Sequence, residues 1–254
     1  MRKTLLRAHV LAVVVLLVAG ASALAITLHA SNLVITTDGG FSPTTLPKHG
    51  FAPIRLHGFG KIATEDGSPP PILETVTIWF DKHGEVETRG LPTCTPQKLA
   101  ATTTKQARKL CPGAIIGTGF GKAVVYFPEQ GPIPASSPIT LFNAKPKHGN
   151  PVILAHAHLT VPGPTTFVVP IEIQRVHDGR YGFKTEAKIP KIAGGYGIPL
   201  YARISVGRTW QYKGKTLSFA NAGCPDGRLQ AKGQFRFKDG TFLQGSLFKR
   251  CKGI

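Results

Sequence analysis

Short stretches of alternating apolar and polar residues run through most of the chain. This is the pattern of β-strands that bury one face. Residues 75–80 (TVTIWF) predict a core strand containing Trp79 and Phe80, and residues 229–237 and 241–248 predict a hairpin. The Asp239-Gly240 pair between those last two strands is a strong turn signal. The hairpin would place Phe235, Phe237 and Phe242 on the core face.

Many short strands separated by turn signals are typical of an antiparallel β-sandwich or barrel. The predicted fold is therefore mainly β, with one short helical insertion at about residues 95–111. Thr95 followed by Pro96 is a helix start, and Thr103 or Thr104 would cap a second helix at residues 105–110. Ala107 and Leu110 are expected on its buried side.

The sequence GTGFG at residues 117–121 resembles a phosphate-binding loop. Such a loop needs a strand before it and a helix after it. Here the helix comes first, and a strand at residues 122–127 follows. We interpret the three glycines as strand residues on one face that let another element approach closely.

The N-terminus has the features of a secretory signal peptide. Three basic residues precede an apolar core at residues 10–18, and AGASALA follows at residues 19–25. Cleavage would follow Ala23 or Ala25. An uncleaved membrane anchor is the alternative, although the apolar core is short for a span. Residues 26–254 would then form a single secreted β-rich domain, with a possible subdivision near residue 90.

Export predicts that the four cysteines form disulfides, because disulfides persist outside the cytosol. Four cysteines allow three pairings. Nearest-neighbour pairing predicts the disulfides Cys94–Cys111 and Cys224–Cys251. A structural zinc site would need closely spaced cysteine pairs, and the sequence has none.

The positive charge is concentrated in the C-terminal third. Residues 180–254 carry 15 basic and 3 acidic side chains, whereas residues 26–179 carry 13 and 10. Such asymmetry indicates a polyanionic partner: an acidic cell-wall polymer or another extracellular polyanion, without specific nucleic-acid recognition. A merely solvated surface is the alternative. The candidate binding residues are Arg208, Lys213, Lys215, Arg228, Lys232, Arg236 and Lys238.

Trp210 and Tyr212 lie two residues apart, so they share one strand face beside Arg208. Interleaved aromatic and basic residues can stack sugar rings or bases. Burial of Trp210 in the core is the alternative interpretation.

His156 and His158 are the candidate metal ligands, since residues at i and i+2 of a strand share a face. A third ligand is not identifiable, although His148 or His177 would be the nearest choices. The alternative places both histidines on the wetter face of a strand whose apolar residues, 153, 155, 157 and 159, pack inward.

Glu172 and Glu186 both lie in the middle of predicted strands and could form a glycosidase-like carboxylate pair. Exposure on a strand face is the alternative. The chain lacks a G-x-S-x-G elbow, and no cofactor motif is present. The sequence therefore favours a non-enzymatic protein without a cofactor. A metal- or carboxylate-dependent hydrolase and a structural envelope component without a small ligand are the alternatives.

A set of motifs covers nearly all of the mature chain and is similar to an uncharacterised family of secreted proteins from high-GC Gram-positive bacteria. The motifs are FSPTTLPKHGFAPI, FDKHGEVETRGLPTC, TTTKQARKLC, TTFVVP, KIPKIAGGYG and CPDG. This resemblance implies export and the four-cysteine framework, and it implies no active site.

Overall fold

The computed structural model describes residues 25–254. The predicted signal peptide therefore lies, except for its last residue, outside the described part. The strands are β1 (Ile26–Ala30), β2 (Leu33–Ser42), β3 (Thr45–Leu46), β4 (Ala52–Pro53), β5 (Arg55–Thr64), β6 (Leu73–Asp81), β7 (Gly84–Val86), β8 (Ile115–Val125), β9 (Ile133–Lys147), β10 (Asn150–Leu159), β11 (Thr165–Asp178), β12 (Tyr181–Lys188), β13 (Gly197–Val206), β14 (Thr209–Tyr212), β15 (Lys215–Ser218), β16 (Ala220–Ala222), β17 (Arg228–Phe237), β18 (Phe242–Arg250) and β19 (Lys252–Gly253).

Twelve of these strands form one antiparallel sheet in the order β1-β2-β5-β13-β8-β9-β10-β11-β12-β6-β17-β18. The two edge strands pack against each other. A Cβ atom on Gly245 of β18 would lie 2.9 Å from Cδ2 of Leu28 in β1. The sheet is therefore nearly closed and barrel-like, which confirms the predicted antiparallel β fold class.

Two apolar clusters fill the inner side of the sheet. The larger includes Leu141, Ile153 and Phe183. The second lies near the closure and includes Ile35, Phe235, Phe237 and Leu243. The prediction that Phe242 shares this face is wrong, because Phe242 is exposed. In the β17–β18 register Phe235 pairs with Leu243, so Phe242 pairs with Arg236 on the other face.

The helical insertion consists of α1 (Pro96–Leu99) and α2 (Thr104–Leu110), as the sequence predicts. Thr95 caps α1, and Thr103 forms a reciprocal capping box with Gln106 of α2. The insertion covers the outer side of β9 and β10 through buried Leu99 and Ala107. Leu110 is exposed, contrary to prediction. The buried stripe continues from Ala107 to Cys111, one helical turn later, and leaves Leu110 beside it.

Both predicted disulfides are confirmed. Cys94–Cys111 closes the 17-residue segment that contains α1 and α2. Cys224–Cys251 joins the loop after β16 to the end of β18. Neither small helix is stable alone, so the first disulfide holds a segment that depends on docking for its structure.

Gly117 and Gly119 of β8 lie against the backbone of β13. Cβ atoms at these positions would lie 2.4 Å from the Ser205 carbonyl oxygen and 2.3 Å from the Arg203 carbonyl oxygen. Any larger residue would force the two strands apart. The structure thus supports the close-approach interpretation for Gly117 and Gly119, and the approaching element is the neighbouring strand. At Gly121 a Cβ atom would meet nothing nearer than Cδ1 of Ile139 at 3.4 Å, so no close approach requires that glycine.

Within residues 25–254, none of the helices has the length and apolar character required to cross a membrane.

Candidate functional site

A basic surface lies on the outer side of four adjacent strands, β12, β6, β17 and β18. The register places side chains in rows: Lys184, Trp79, Lys232 and Ser246 in one row, and Lys188, Thr75, Arg236 and Phe242 in another. Arg228 and Arg250 pair at the start of β17 and the end of β18. We call this surface the basic face, defined by Trp79, Tyr181, Lys184, Lys188, Arg228, Lys232, Arg236, Phe242 and Arg250.

Aromatic rings position several of its cations. The Lys232 ammonium lies 4.4 Å from the centroid of the Trp79 ring and 4.9 Å from that of Tyr181. Lys184 approaches Trp79 at 5.6 Å, and the Arg236 guanidinium approaches Phe242 at 5.5 Å. Cation–π contacts at these distances are attractive and restrict the otherwise flexible side chains. The basic face therefore presents charges at defined positions.

Acidic side chains neutralise only part of this surface. Lys232 pairs with Asp178 at 3.4 Å, and Lys184 pairs with Glu186 at 3.9 Å. Within residues 25–254, no ion pair is formed by the other cations of the face, Lys188, Arg228, Arg236 and Arg250. A groove of about 280 Å³ runs between Trp79, Glu186 and Arg236.

Arg180 anchors one end of the basic face to the rest of the fold. Its Nε atom donates to buried Asp81 at 2.6 Å, and Nη2 donates to the Arg228 carbonyl oxygen at 2.6 Å and to Asp226 at 3.1 Å. The hydrogen bonds from Arg180 lower the pKa of Asp226 to about 2. The pKa of Arg180 is raised for the same reason. Arg180 thus links β12, the end of β6 and the start of β17.

The remaining predicted polyanion-binding residues lie elsewhere. Lys238 is in the turn between β17 and β18, where its backbone N–H donates to the Ile72 carbonyl oxygen. Lys213 and Lys215 are exposed in the β14–β15 hairpin. The Arg208 guanidinium donates to the carbonyl oxygens of Pro112 and Ile115 at 3.1 and 2.7 Å. Arg208 is therefore occupied in fixing the turn that follows the helical insertion.

The aromatic pair of the hairpin is also engaged within the protein. The Trp210 Nε1–H donates to the Arg89 carbonyl oxygen at 2.9 Å, and the indole packs against the main core. The Tyr212 ring covers Gly90, where a Cβ atom would lie 2.0 Å from Cδ2 of the ring. This geometry matches the alternative interpretation of Trp210 as a packing residue. Stacking of a ligand on this pair stays an untested prediction.

His156 is completely buried beneath the helical insertion. Its Nε2 atom lies 3.1 Å from both the carbonyl oxygen and the hydroxyl of Thr102, and its ring edge contacts Phe142. The expectation that both histidines lie on a wetter strand face is wrong for His156. Leu154 and His156 lie on the even-numbered face of β10, which α1 and α2 cover. Leu154 there packs with Leu99 and Ala107 in an apolar cluster separate from the two on the inner side of the sheet.

His158 is half-buried, and its Nδ1 atom lies 2.8 Å from the Thr166 hydroxyl. Thr166 in turn donates to the Thr102 carbonyl oxygen at 2.9 Å. The two histidines therefore help hold Thr102, between the two helices, against β10 and β11. Within the described residues, no group of three or more His, Cys, Asp or Glu side chains is arranged to hold a metal ion. A metal site at His156 and His158 stays a prediction without a third ligand.

Burial lowers the pKa of His156, and its Nδ1 atom has no hydrogen-bond partner among residues 25–254. The unfolded chain consequently binds a proton more readily at this position, so stability rises with pH. We expect the contribution of neutral His156 to the free energy of unfolding to be complete above the ordinary histidine pKa of about 6.5 and to be lost as the pH falls below it.

The midpoints of unfolding, measured from pH 8 to pH 5, should therefore decline, and His156→Gln should flatten the decline. His49→Gln, at an exposed histidine, should leave it unchanged. An unaltered profile in His156→Gln would contradict this assignment.

Glu172 and Glu186 flank the Ile173–Thr185 pair on the neighbouring strands β11 and β12. Glu172 accepts a hydrogen bond from Asn150 at 2.6 Å and lies 4.0 Å from His148. Glu186 is partly exposed on the outer surface beside Lys184. Each carboxylate has a polar partner of its own, and the carboxylate-hydrolase alternative stays a prediction.

Sequence reasoning missed six members of the basic face: Trp79, Tyr181, Lys184, Lys188, Phe242 and Arg250. Trp79 was expected in the core because large aromatic residues are mostly buried. The outward orientation of Trp79 could have been inferred from the alternation of side chains along β6. Val76 and Phe80 of that strand face inward, so Trp79 must face outward.

Comparison with known proteins gives little further information. No protein-family description matches the chain, and no curated protein matches it. Among solved structures, the chain is similar to AvmM, an enzyme described as catalysing macrocyclization in alchivemycin A biosynthesis. The TM-score is 0.23 and the sequence identity is 8%, over 91% of this chain and 96% of AvmM. A similarity this low supports no conclusion about fold or activity. The chain is thus characterised by its own features: a disulfide-linked antiparallel β protein with a basic outer face.

Proposed function

We propose that this protein is exported and binds an acidic polymer of the cell envelope or the extracellular medium, without catalysis, through the basic face. One observation carries the proposal. Six cations and three aromatic rings project from one side of four adjacent strands, and four of those cations lack an ion pair within residues 25–254. Like charges on one sheet face repel each other, so an anionic partner would relieve that repulsion.

Two further features support this role. The N-terminal sequence and the similarity to a family of secreted proteins favour export, and both disulfides suit an oxidising compartment. The shape of the site also suits a polymer. The face extends across four adjacent strands, which favours many charge contacts along a chain over enclosure of a small molecule.

A salt series tests the proposal. Residues 26–254 should bind purified cell-wall material that retains its anionic polymers, and binding should weaken steeply as salt rises, because each charge contact releases condensed counterions. Wall material stripped of those polymers is the control and should retain little protein. Absence of binding at low salt would overturn the proposal and leave a structural role without a ligand. Binding that persists at high salt would indicate apolar recognition instead.

A further inference from the structure

A second concave surface lies on the part of the sheet formed by β2, β5, β13 and β8. It is a groove of about 440 Å³ whose floor is strand backbone at Gly39, Gly58 and Gly119. The register places its side chains on one side of the sheet, opposite to the side that buries Leu56 and Val206. The groove is lined by the side chains of Asp38, His57, Phe59, Thr118, Tyr201, Arg203 and Ser205.

One part of the groove is aromatic. The rings of Phe59 and Tyr201 lie 6.3 Å apart between centroids with an interplanar angle of 29°, so the two rings stack against each other. Both residues are only half-buried. Partly exposed rings in this arrangement offer an apolar platform against which a ligand ring can pack.

A cation stands beside this platform. Arg203 is exposed, it pairs with Phe59 in the register, and no acidic side chain within residues 25–254 forms an ion pair with it. A guanidinium group in this situation is suited to bidentate binding of a carboxylate or phosphate. Lys61 and Lys122 flank Tyr201 in the same register and add positive charge.

The other lining residues offer hydrogen bonds to hydroxyl groups. Ser205 and Thr118 are paired across β13 and β8, and both carry hydroxyls on the groove side. Asp38 would repel an anion, but its Oδ1 atom lies 2.6 Å from the Lys249 ammonium, which offsets its charge. A paired carboxylate of this kind can still accept hydrogen bonds from ligand hydroxyls.

We propose that this groove binds a single six-membered sugar ring that carries an acidic group. The ring lies on Phe59 and Tyr201, the acidic group pairs with Arg203, and the hydroxyls bond to Asp38, Ser205 and Thr118. The groove volume falls within the range of about 300–1,000 Å³ that is usual for small-ligand sites. The site uses no residue of the basic face, so the inference does not depend on polymer binding.

Titration of residues 26–254, followed by backbone amide chemical shifts, tests the inference with six probes. Glucuronate and glucose 6-phosphate distinguish a carboxylate from a phosphate as the acidic group. Glucose lacks the acid, inorganic phosphate and acetate lack the ring, and benzoate has a ring and an acid without hydroxyls. At least one acidic sugar should saturate shifts in β5, β8 and β13 with a Kd of about 1 mM, and the other four probes should bind at least tenfold more weakly.

Arg203→Gln should weaken acidic-sugar binding at least tenfold. Arg55→Gln, at an exposed arginine of the neighbouring strand β5, should not change it. Equal binding of glucose would overturn the role of Arg203, and equal binding of acetate, phosphate or benzoate would overturn recognition of the sugar. Saturable shifts confined to β17 and β18, or no saturation at a ligand concentration 50-fold above the expected Kd, would overturn the site itself.

The variant Arg228→Gln/Lys232→Gln/Arg236→Gln should bind the acidic sugar normally. This variant separates failure of the sugar-binding inference from failure of the polymer proposal.

Discussion

Replacing Arg180 with alanine should lower the free energy of unfolding by about 3 kcal/mol, measured by urea denaturation. The reason is the environment of Asp81, which is buried and receives the Arg180 Nε–H at 2.6 Å. Without this partner the ionisable neighbour left to buried Asp81 is His83, whose Nδ1 atom lies 2.9 Å from Oδ1 and is a counterion only when protonated. Asp81 keeps backbone hydrogen bonds from His83 and Gln230, so the loss should lie at the lower end of the range for a broken buried pair.

A double-mutant cycle separates this explanation from a simple loss of packing. Asp81→Asn removes the charge, so Arg180→Ala should cost less in the Asp81→Asn background than in the wild type. Arg55→Ala, at an exposed arginine, should change stability by less than about 0.5 kcal/mol. Equal costs of Arg180→Ala in the two backgrounds would show that the buried charge is not the cause.

Neutralising three cations of the basic face should reduce affinity for the acidic polymer about 100-fold at low salt. The variant is Arg228→Gln/Lys232→Gln/Arg236→Gln. A cation near an anionic surface contributes about 1 kcal/mol, so three contribute about two powers of ten. The slope of log affinity against log salt should become shallower by about 2–3, since three counterion-releasing contacts are lost. Affinities from a sedimentation assay over a salt series provide both values.

The helical insertion supplies a control with the same change in net charge. Lys98, Lys105 and Lys109 are exposed on α1 and α2 and lie outside the basic face. Lys98→Gln/Lys105→Gln/Lys109→Gln should therefore reduce affinity several-fold at most, through the overall charge alone. If both triple variants weaken binding equally, only net charge is recognised, and the basic face is not a site.

Much of the fold follows from local sequence. Strand alternation predicts the antiparallel architecture, and the capping residues Thr95 and Thr103 mark the two helix starts because their signals involve only near neighbours. The disulfide pairing is also local, since each cysteine pairs with the next cysteine along the chain. These features need no knowledge of how distant strands meet.

Features that depend on distant pairing were not predictable in the same way. Alternation indicates that β10 has two faces, but it does not say that the insertion covers the face of His156. The orientation of Phe242 depends on the parity of the β17–β18 register. The basic face depends on β12, β6, β17 and β18 being neighbours, although β6 lies about 100 residues before β12 in the sequence. Charge counting therefore indicated Lys232 and Arg236, whereas Trp79 and Lys184 required the topology.

Mapping the bound polymer onto the protein tests the central claim most directly. Amide chemical shifts of residues 26–254 would be followed during titration with a short, defined anionic oligomer prepared from cell-wall polymer, at low salt. Polymer binding by the basic face predicts that the largest shifts occur in β12, β6, β17 and β18 and that they vanish in Arg228→Gln/Lys232→Gln/Arg236→Gln. Largest shifts in the helical insertion or the β14–β15 hairpin, or no saturable shifts anywhere, would contradict it.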